Sequence, residues 1–390
     1  MSLSNITLSA SVRQNLLSLQ GTADLLATTQ GRLSTGKKVN TALDNPTNFF
    51  TAAGLDSRAS DISNLLDSIG NGVQVLQAAN TGITSLSKLV DTAKSIANQV
   101  LQQPSGYSTK STVTSSAAIL GTAANLVDGV GIKSGQTLSV AASGSLPAVV
   151  VTFGATETLD QLNTALAAGH LTASIDSANK LVITASNNDD ASSTIGAVTT
   201  GGGAGTTAFA AAVAPVADAV SQATRSSLVA QYNQIITQIT TTAQDASFNG
   251  VNLLNGDSLK LVFDETGKST STINGVTFNP AGLGLKALTS GTDFLDNTST
   301  NTVLTALNTA SITLRSQASA FGANLSIVQI RQDFNKNLIN VLQTGSSNLT
   351  LADTNEEAAN SKALSTRQSI AVSALALANQ SQQSVLQLLR

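Results

Sequence analysis

The sequence predicts a mainly α chain carrying an inserted α+β module. Three observations lead there. Apolar residues recur at heptad spacing near both ends of the 390 residues. A much longer run of similar spacing follows the first of these. Between residues 105 and 217 that periodicity gives way to short β-type runs separated by turn residues.

The first helix spans 12–33. Val12, Leu16, Leu19, Ala23, Leu26 and Leu33 form a heptad row with only Gln30 out of pattern, so one stripe must face another helix. Its other faces carry Ser, Thr, Gln, Gly and single charges such as Arg13, Asp24 and Arg32. With few solvent-side ion pairs, such a helix needs packing partners. Gly36 ends or bends it, and Asp44-Asn45-Pro46 breaks the chain, because Pro46 restricts the residue before it to extended backbone.

From Leu55 a second row passes Ile62, Leu66, Ile69, Val73 and Leu76, skips at Asn80, and shifts phase to Ile83, Leu86, Val90, Ala93, Ala97 and Val100. A helix of about 45 residues is about 70 Å long. Gly70, Gly72 and Gly82 each cost about 1 kcal/mol relative to Ala, so it is stable only when packed along its length.

Gln103-Pro104-Ser105-Gly106 ends it. Strands are expected at 137–140, 148–153, 172–175 and 181–184, a short helix at 159–167, and loops at 187–190 and 201–205. Helical periodicity returns with Val220, Leu228, Ile235 and Ile239. Residues 258–264 and 270–278 read as a hairpin turning at 265–268. A second long helix starts at Val303 and carries Leu307, Leu314, Ala318, Phe321, Leu325 and Val328. It shifts phase to Phe334, Leu338 and Val341, with a weak interruption at 345–348.

The last segment has two adjacent apolar rows. Ile370, Ala374, Leu377 and Leu388 form one; Ala371, Leu375, Ala378, Val385 and Leu389 form the other. One row suffices for pairing with the first helix as one more member of a bundle. The second widens the face beyond a two-stranded seam, and burial against other copies of the chain accounts for it. Val12, Leu16, Leu19, Leu26, Leu33, Ile370, Leu375, Leu377, Val385, Leu388 and Leu389 are therefore the candidate self-assembly residues, with 12–33 expected to pair with 370–389.

Composition narrows the function. Hydrophobic residues make up 41% and charged residues only 11%, and there is no Cys or Trp. A net charge of -3 supplies no basic field for nucleic acid or anionic lipid. Without Cys there is no disulfide or thiolate chemistry. No stretch approaches 18 uninterrupted apolar residues, so no membrane insertion is expected. The opening residues lack the basic and apolar regions of a secretory signal.

Catalytic chemistry finds little support. His170 is the single His; without a nucleophile and an orienting acid it reads as a surface or capping residue. Asp189-Asp190 and Asp264-Glu265 lie in expected turns without EF-hand spacing. The 201–205 glycines lack the Lys-Ser/Thr of a phosphate loop. No enzyme, metal site or cofactor is expected.

Several separated motifs carry a family resemblance. Arg32-Leu33-Ser34-Thr35-Gly36-Lys37-Lys38-Val39, followed by Ala42-Leu43-Asp44, resembles the N-terminal motif of bacterial flagellins. Phe248-Asn249-Gly250-Val251-Asn252-Leu253-Leu254 is similar to the flagellin motif joining a helix to a β-hairpin. Phe321-Gly322-Ala323, then Ala376-Leu377-Ala378-Asn379-Gln380 and the ending Val385-Leu386-Gln387-Leu388-Leu389-Arg390, resemble the C-terminal pattern. The resemblance covers residues 1–104 and 218–390.

The resemblance implies a structural filament subunit. Residues 1–45 and 346–390 would form the inner, paired coiled-coil domain, and 46–104 with 218–345 a long-helix bundle with a β-hairpin. Residues 105–217 would form an outward-facing variable α+β domain. It further implies partners: other flagellin subunits, hook-associated junction and cap proteins, the flagellar type III export machinery and an export chaperone. The location implied is the extracellular filament, reached without a cleaved signal. Two departures stand out. The insert precedes the Phe248 motif instead of following the hairpin, and Asn45-Pro46-Thr47-Asn48-Phe49-Phe50 replaces the small, acidic stretch usual after Asp44. A hook–filament junction protein shares both end patterns and is the nearest alternative; an exported coiled-coil adhesin is a more distant one.

Overall fold

The computed structural model describes residues 10–202 and 207–388, with the side chains of Ser11, Gln382 and residues 385–388 outside that description. The described chain is mostly helical with an inserted β-rich region, as its periodicities predict. It divides into two compact units.

The first unit comprises Met1–Asn71, Lys260–Ser271 and Ile327–Arg390. Helix α1 (Ala10–Thr35) lies antiparallel to α6 (Thr354–Leu388). The chain leaves α1 through Gly36, whose φ of +67° is the left-handed conformation that glycine adopts at least cost. Residues 36–39 then meet the turn into α6. Lys38 N–H donates to Thr350 O at 2.7 Å and Ala352 N–H to Gly36 O at 3.0 Å, around a bridge between Lys37 and Leu351. Asp44 accepts the N–H groups of Asn40 and Thr41 at 2.9 and 2.8 Å. These amide bonds hold its carboxyl below the usual range.

Helix α2 (Pro46–Gln102) begins nine residues before the expected start at Leu55. The break before Pro46 is also its cap. Asn45 Oδ1 accepts from Asn48 N–H at 3.0 Å, and proline suits the first helical position, where no N–H partner is needed. Ala59 and Ile62 of α2 pack on Leu342 of α5 (Asn297–Thr350), with Leu55, Leu338 and Ile339 against them. Helix α5 runs through residues 345–348 without the expected interruption. Packing overrides the weak local propensity there: a Cβ on Gly345 would make only ordinary contact with Leu55, and Thr350 Oγ1 satisfies itself on Ser346 O.

Two expected phase shifts do not occur. Along α2, Ala79 is buried in place of Asn80, and Ile83 continues the row of Ile62, Ile69 and Leu76. Along α5, the buried row runs Leu314, Phe321, Val328, Asn335, Leu342 at strict sevens. Asn335 hid that row from a hydrophobic pattern. It is 2% exposed because its Nδ2 donates to the Phe263 carbonyl at 2.9 Å.

The second unit comprises Gly72–Leu259 and Thr272–Ser326. The later part of α2, α4 (Ala219–Asp245) and the earlier part of α5 contribute its helical core. After α4, Phe248 and Val251 exchange both backbone bonds at 3.0 Å across Asn249 and Gly250, which both have positive φ. That is a type I′ turn, for which Asn-Gly is the preferred pair. Asn252 Nδ2 then reaches back to the Ala243 and Gln244 carbonyls at the end of α4. The motif thus both turns the chain and caps the helix. The hairpin that follows is β9 (Ser258–Val262) and β10 (Thr270–Asn274), each strand starting where expected and ending earlier, at 262 and at 274.

The insert opens with β1 (Tyr107–Thr109) and closes with β8 (Val216–Ala217), which pair antiparallel where the chain leaves and rejoins the helices. Between them lie two three-stranded sheets. One orders β2 (Thr112–Thr114), β6 (Leu181–Ala185), β5 (Leu171–Ile175); the other orders β4 (Val149–Thr152), β3 (Thr137–Val140), β7 (Val198–Gly201). Helix α3 (Leu159–Leu166) starts on a capping box between Thr158 and Gln161. Leu162 and Leu166 sit in one core with Leu138, Val151, Leu171 and Ile183. Residues 203–205 of the expected loop lie outside the described residues.

Candidate assembly surface

Burial separates the faces of the α1–α6 pair. On α1 the buried or half-buried positions include Val12, Asn15, Leu19, Thr22, Ala23, Leu26 and Thr29; on α6 they include Ser361, Leu364, Gln368, Ala371, Leu375 and Ala378. Arg32 Nη1 and Glu357 Oε1 meet at 3.2 Å and anchor the register. Equal rise along two antiparallel helices then sets Val12 opposite Ala378, Asn15 opposite Leu375, Leu19 opposite Ala371, Thr22 opposite Gln368, Leu26 opposite Leu364 and Thr29 opposite Ser361. Of these six described layers, only Leu26–Leu364 joins two large apolar residues. Two layers are wholly polar.

This arrangement divides the expected assembly residues. Val12, Leu19, Leu26 and Leu375 lie in the seam. Leu16 (37% exposed) and Leu33 flank it on the open side; Thr22 is buried beside the half-buried Ala23, and Thr29 takes the inward place that the heptad gives to Gln30. The seam is turned by about half a residue step, about 50°. Of the two α6 rows, that of Ala371, Leu375 and Ala378 faces α1. Ile370 and Leu377 (70% exposed) face away. The partner stretch of α1 starts at Glu357, well before the expected 370. Val385 and Leu388 belong to α6, but their side chains lie outside the description, and Leu389 lies outside the described residues altogether.

Further exposed apolar residues escaped the sequence reading. Leu17 and Leu25 on α1 and Val372 on α6 point outward. On α5 of the same unit, Ile327, Ile330, Phe334 (55% exposed) and Val341 form a second row, stepping three, four and seven. Phe334 and Val341 were expected inside. Their exposure follows from the buried phase running through Asn335. Exposed large apolar residues scattered singly are ordinary, whereas contiguous exposed apolar patches mark interaction surfaces.

The remaining candidates have structural work. His170 ends the 3-10 turn Ala167–Gly169 in the left-handed conformation, and its Nδ1 lies 2.5 Å from Asp190 Oδ2. Asp264 accepts from Thr266 Oγ1 and Ser269 N–H at the hairpin turn. Those bonds hold its carboxyl low. Among the described residues, no group of three or more His, Cys, Asp or Glu is placed to hold a metal. None of their helices is long and apolar enough to cross a membrane.

Family comparison agrees with the paired helices. The family of the bacterial flagellin N-terminal helical region matches residues 5–127. That of the bacterial flagellin C-terminal helical region matches residues 304–389. The chain belongs to the bacterial flagellin family. Flagellins are structural proteins. The chain is similar to flagellins FljM and FljK of Caulobacter vibrioides, each 31% identical over 172 residues, 44% of this chain and 62% of the relative. A flagellin of Brucella melitensis is 27% identical over 171 residues, 41% of this chain and 60% of the relative. The match therefore spans less than two thirds of the length of these flagellins. The outward apolar residues of the first unit, on α1, α5 and α6, lie within the two matched regions.

Proposed function

We propose that the chain is a non-enzymatic filament subunit, which self-assembles through the helices at its two ends into the extracellular bacterial flagellar filament and so serves motility. The observation that carries this is the half-polar α1–α6 seam, with Leu17, Leu25, Ile370 and Leu377 left outside it. Ordering backbone costs about 1 to 2 kcal/mol per residue. Two polar layers in the seam return little of that, so the pair depends on what buries its outer faces. Each Leu or Ile covered by a neighbouring subunit contributes about 1.5 to 3 kcal/mol. Head-to-tail contacts between copies would leave the assembly open, so that it grows.

In this reading residues 1–45 with 346–390 form the assembly domain, 46–104 with 218–345 the bundle around it, and 105–217 an outward variable domain. Export through the flagellar type III machinery with an export chaperone, and contact with hook-associated junction and cap proteins, follow from the same reading. The test is electron microscopy of the purified chain seeded with filament fragments. Long helical filaments are expected. Seeds that stay short while the chain occupies their ends would instead mark a junction protein.

A further inference from the structure

We infer that Arg32, Gly36 and Glu357 are positioning residues that set the register of α1 against α6, and so decide which outward apolar residues stand side by side. The consequence for filaments rests on the assembly reading above; the register does not. Among the described residues, the seam alone discriminates poorly. Sliding α1 by one heptad toward Gly36, about 10 Å, would set Leu19 opposite Leu364, Thr22 opposite Ser361 and Asn15 opposite Gln368. One large apolar layer and two polar layers survive the slip, and the mismatch of Asn15 with Leu375 disappears. Polar layers fix register only when a slip leaves them facing apolar groups, and here it does not.

What the slip breaks lies at the inner end. The Lys38 N–H to Thr350 O bond at 2.7 Å and the Ala352 N–H to Gly36 O bond at 3.0 Å would both be lost. The Arg32–Glu357 pair at 3.2 Å would part, leaving the buried Glu357 against Leu26. Gly36 permits this clasp because its φ of +67° strains any residue with a branched Cβ. Glu357 also sits in the first turn of α6, where the helix dipole favours a carboxylate.

The chain has no Cys, so introduced pairs report without background. Thr22→Cys with Gln368→Cys reads the observed register; Thr22→Cys with Ser361→Cys reads the slipped one. In the monomer under mild oxidation, the first pair is expected to crosslink and the second is not. Adding Gly36→Val and Glu357→Gln should raise the slipped share roughly tenfold, equivalent to about 1.4 kcal/mol of register preference. Glu357→Arg alone should also raise it, and Arg32→Glu on top should lower it again, which general helix loosening would not do. A slipped share unchanged by Glu357→Arg, or a swap that fails to restore it, overturns the inference even if Gly36→Val prevents folding. A chain that shows these crosslinks and never forms filaments would overturn the assembly reading alone.

Discussion

The Arg225 guanidinium donates through Nη1 to the Phe294 carbonyl at 2.9 Å, deep in the second unit. Its Nη2 and Nε reach the Pro104 carbonyl at 3.1 and 3.3 Å. One side chain, 2% exposed, thus joins α4 to the end of α2 and to the segment before α5. Lysine cannot reproduce that fork. Arg225→Lys should cost about 2 to 4 kcal/mol, read by urea unfolding; a loss within measurement error would show that the carbonyls find other donors.

Leu377→Asp should leave the monomer unchanged and stop filament growth, because the side chain faces away from α1. Leu19→Asp strikes the seam and should loosen the monomeric pair as well. Helix content of the monomer, set beside seeded growth, distinguishes the two. Normal filaments from Leu377→Asp would remove the outward α6 row from the interface.

How much of this was legible depends on what each residue advertises. Strands β3, β4, β5 and β6 followed from short β-type runs bounded by turn residues, whereas β2 and β7, which complete the two sheets, are too short or too polar to stand out. Strands β1 and β8 gave no local signal; they are short, exposed and paired across more than a hundred residues. The α1 seam was misplaced by half a step because Thr22 and Thr29 are inward while Leu16 and Leu33 sit at its edge. A hydrophobic row assumes that burial follows apolarity within one chain. Here part of the apolar surface is left over after the chain has packed, so one apolar row runs across both faces.

Acid should loosen the insert through Asp128. Partial burial pushes its carboxyl up, but N–H groups of Val130, Leu120, Gly131 and Ile132 outweigh that and hold it below the ordinary value. A lowered folded value means the stabilisation is complete above the unfolded value of about 3.9 and is lost as pH falls through the folded one. Asp44, Asp218 and Asp264 shift the same way, so the effect must be assigned by difference. Asp128→Asn should be less stable at neutral pH and lose less on acidification below about pH 4. Parallel pH profiles for the two chains would assign the acid response elsewhere.

Filling the polar layer tests why the pair needs neighbours. Thr22→Leu with Gln368→Leu turns a wholly polar layer into an apolar one between two others that hold Leu19 and Leu26. Burial of two leucines should stabilise the monomeric pair by about 1.5 to 3 kcal/mol after the threonine methyl and glutamine stem are discounted. Amide hydrogen exchange across 15–30 and 361–375 should slow by roughly tenfold or more. The outward residues are untouched, so filaments should still form, and from a monomer whose helices are already ordered. Exchange that stays as fast as before would mean the seam was never the weak element, and the dependence on neighbours would have to come from the outer faces alone.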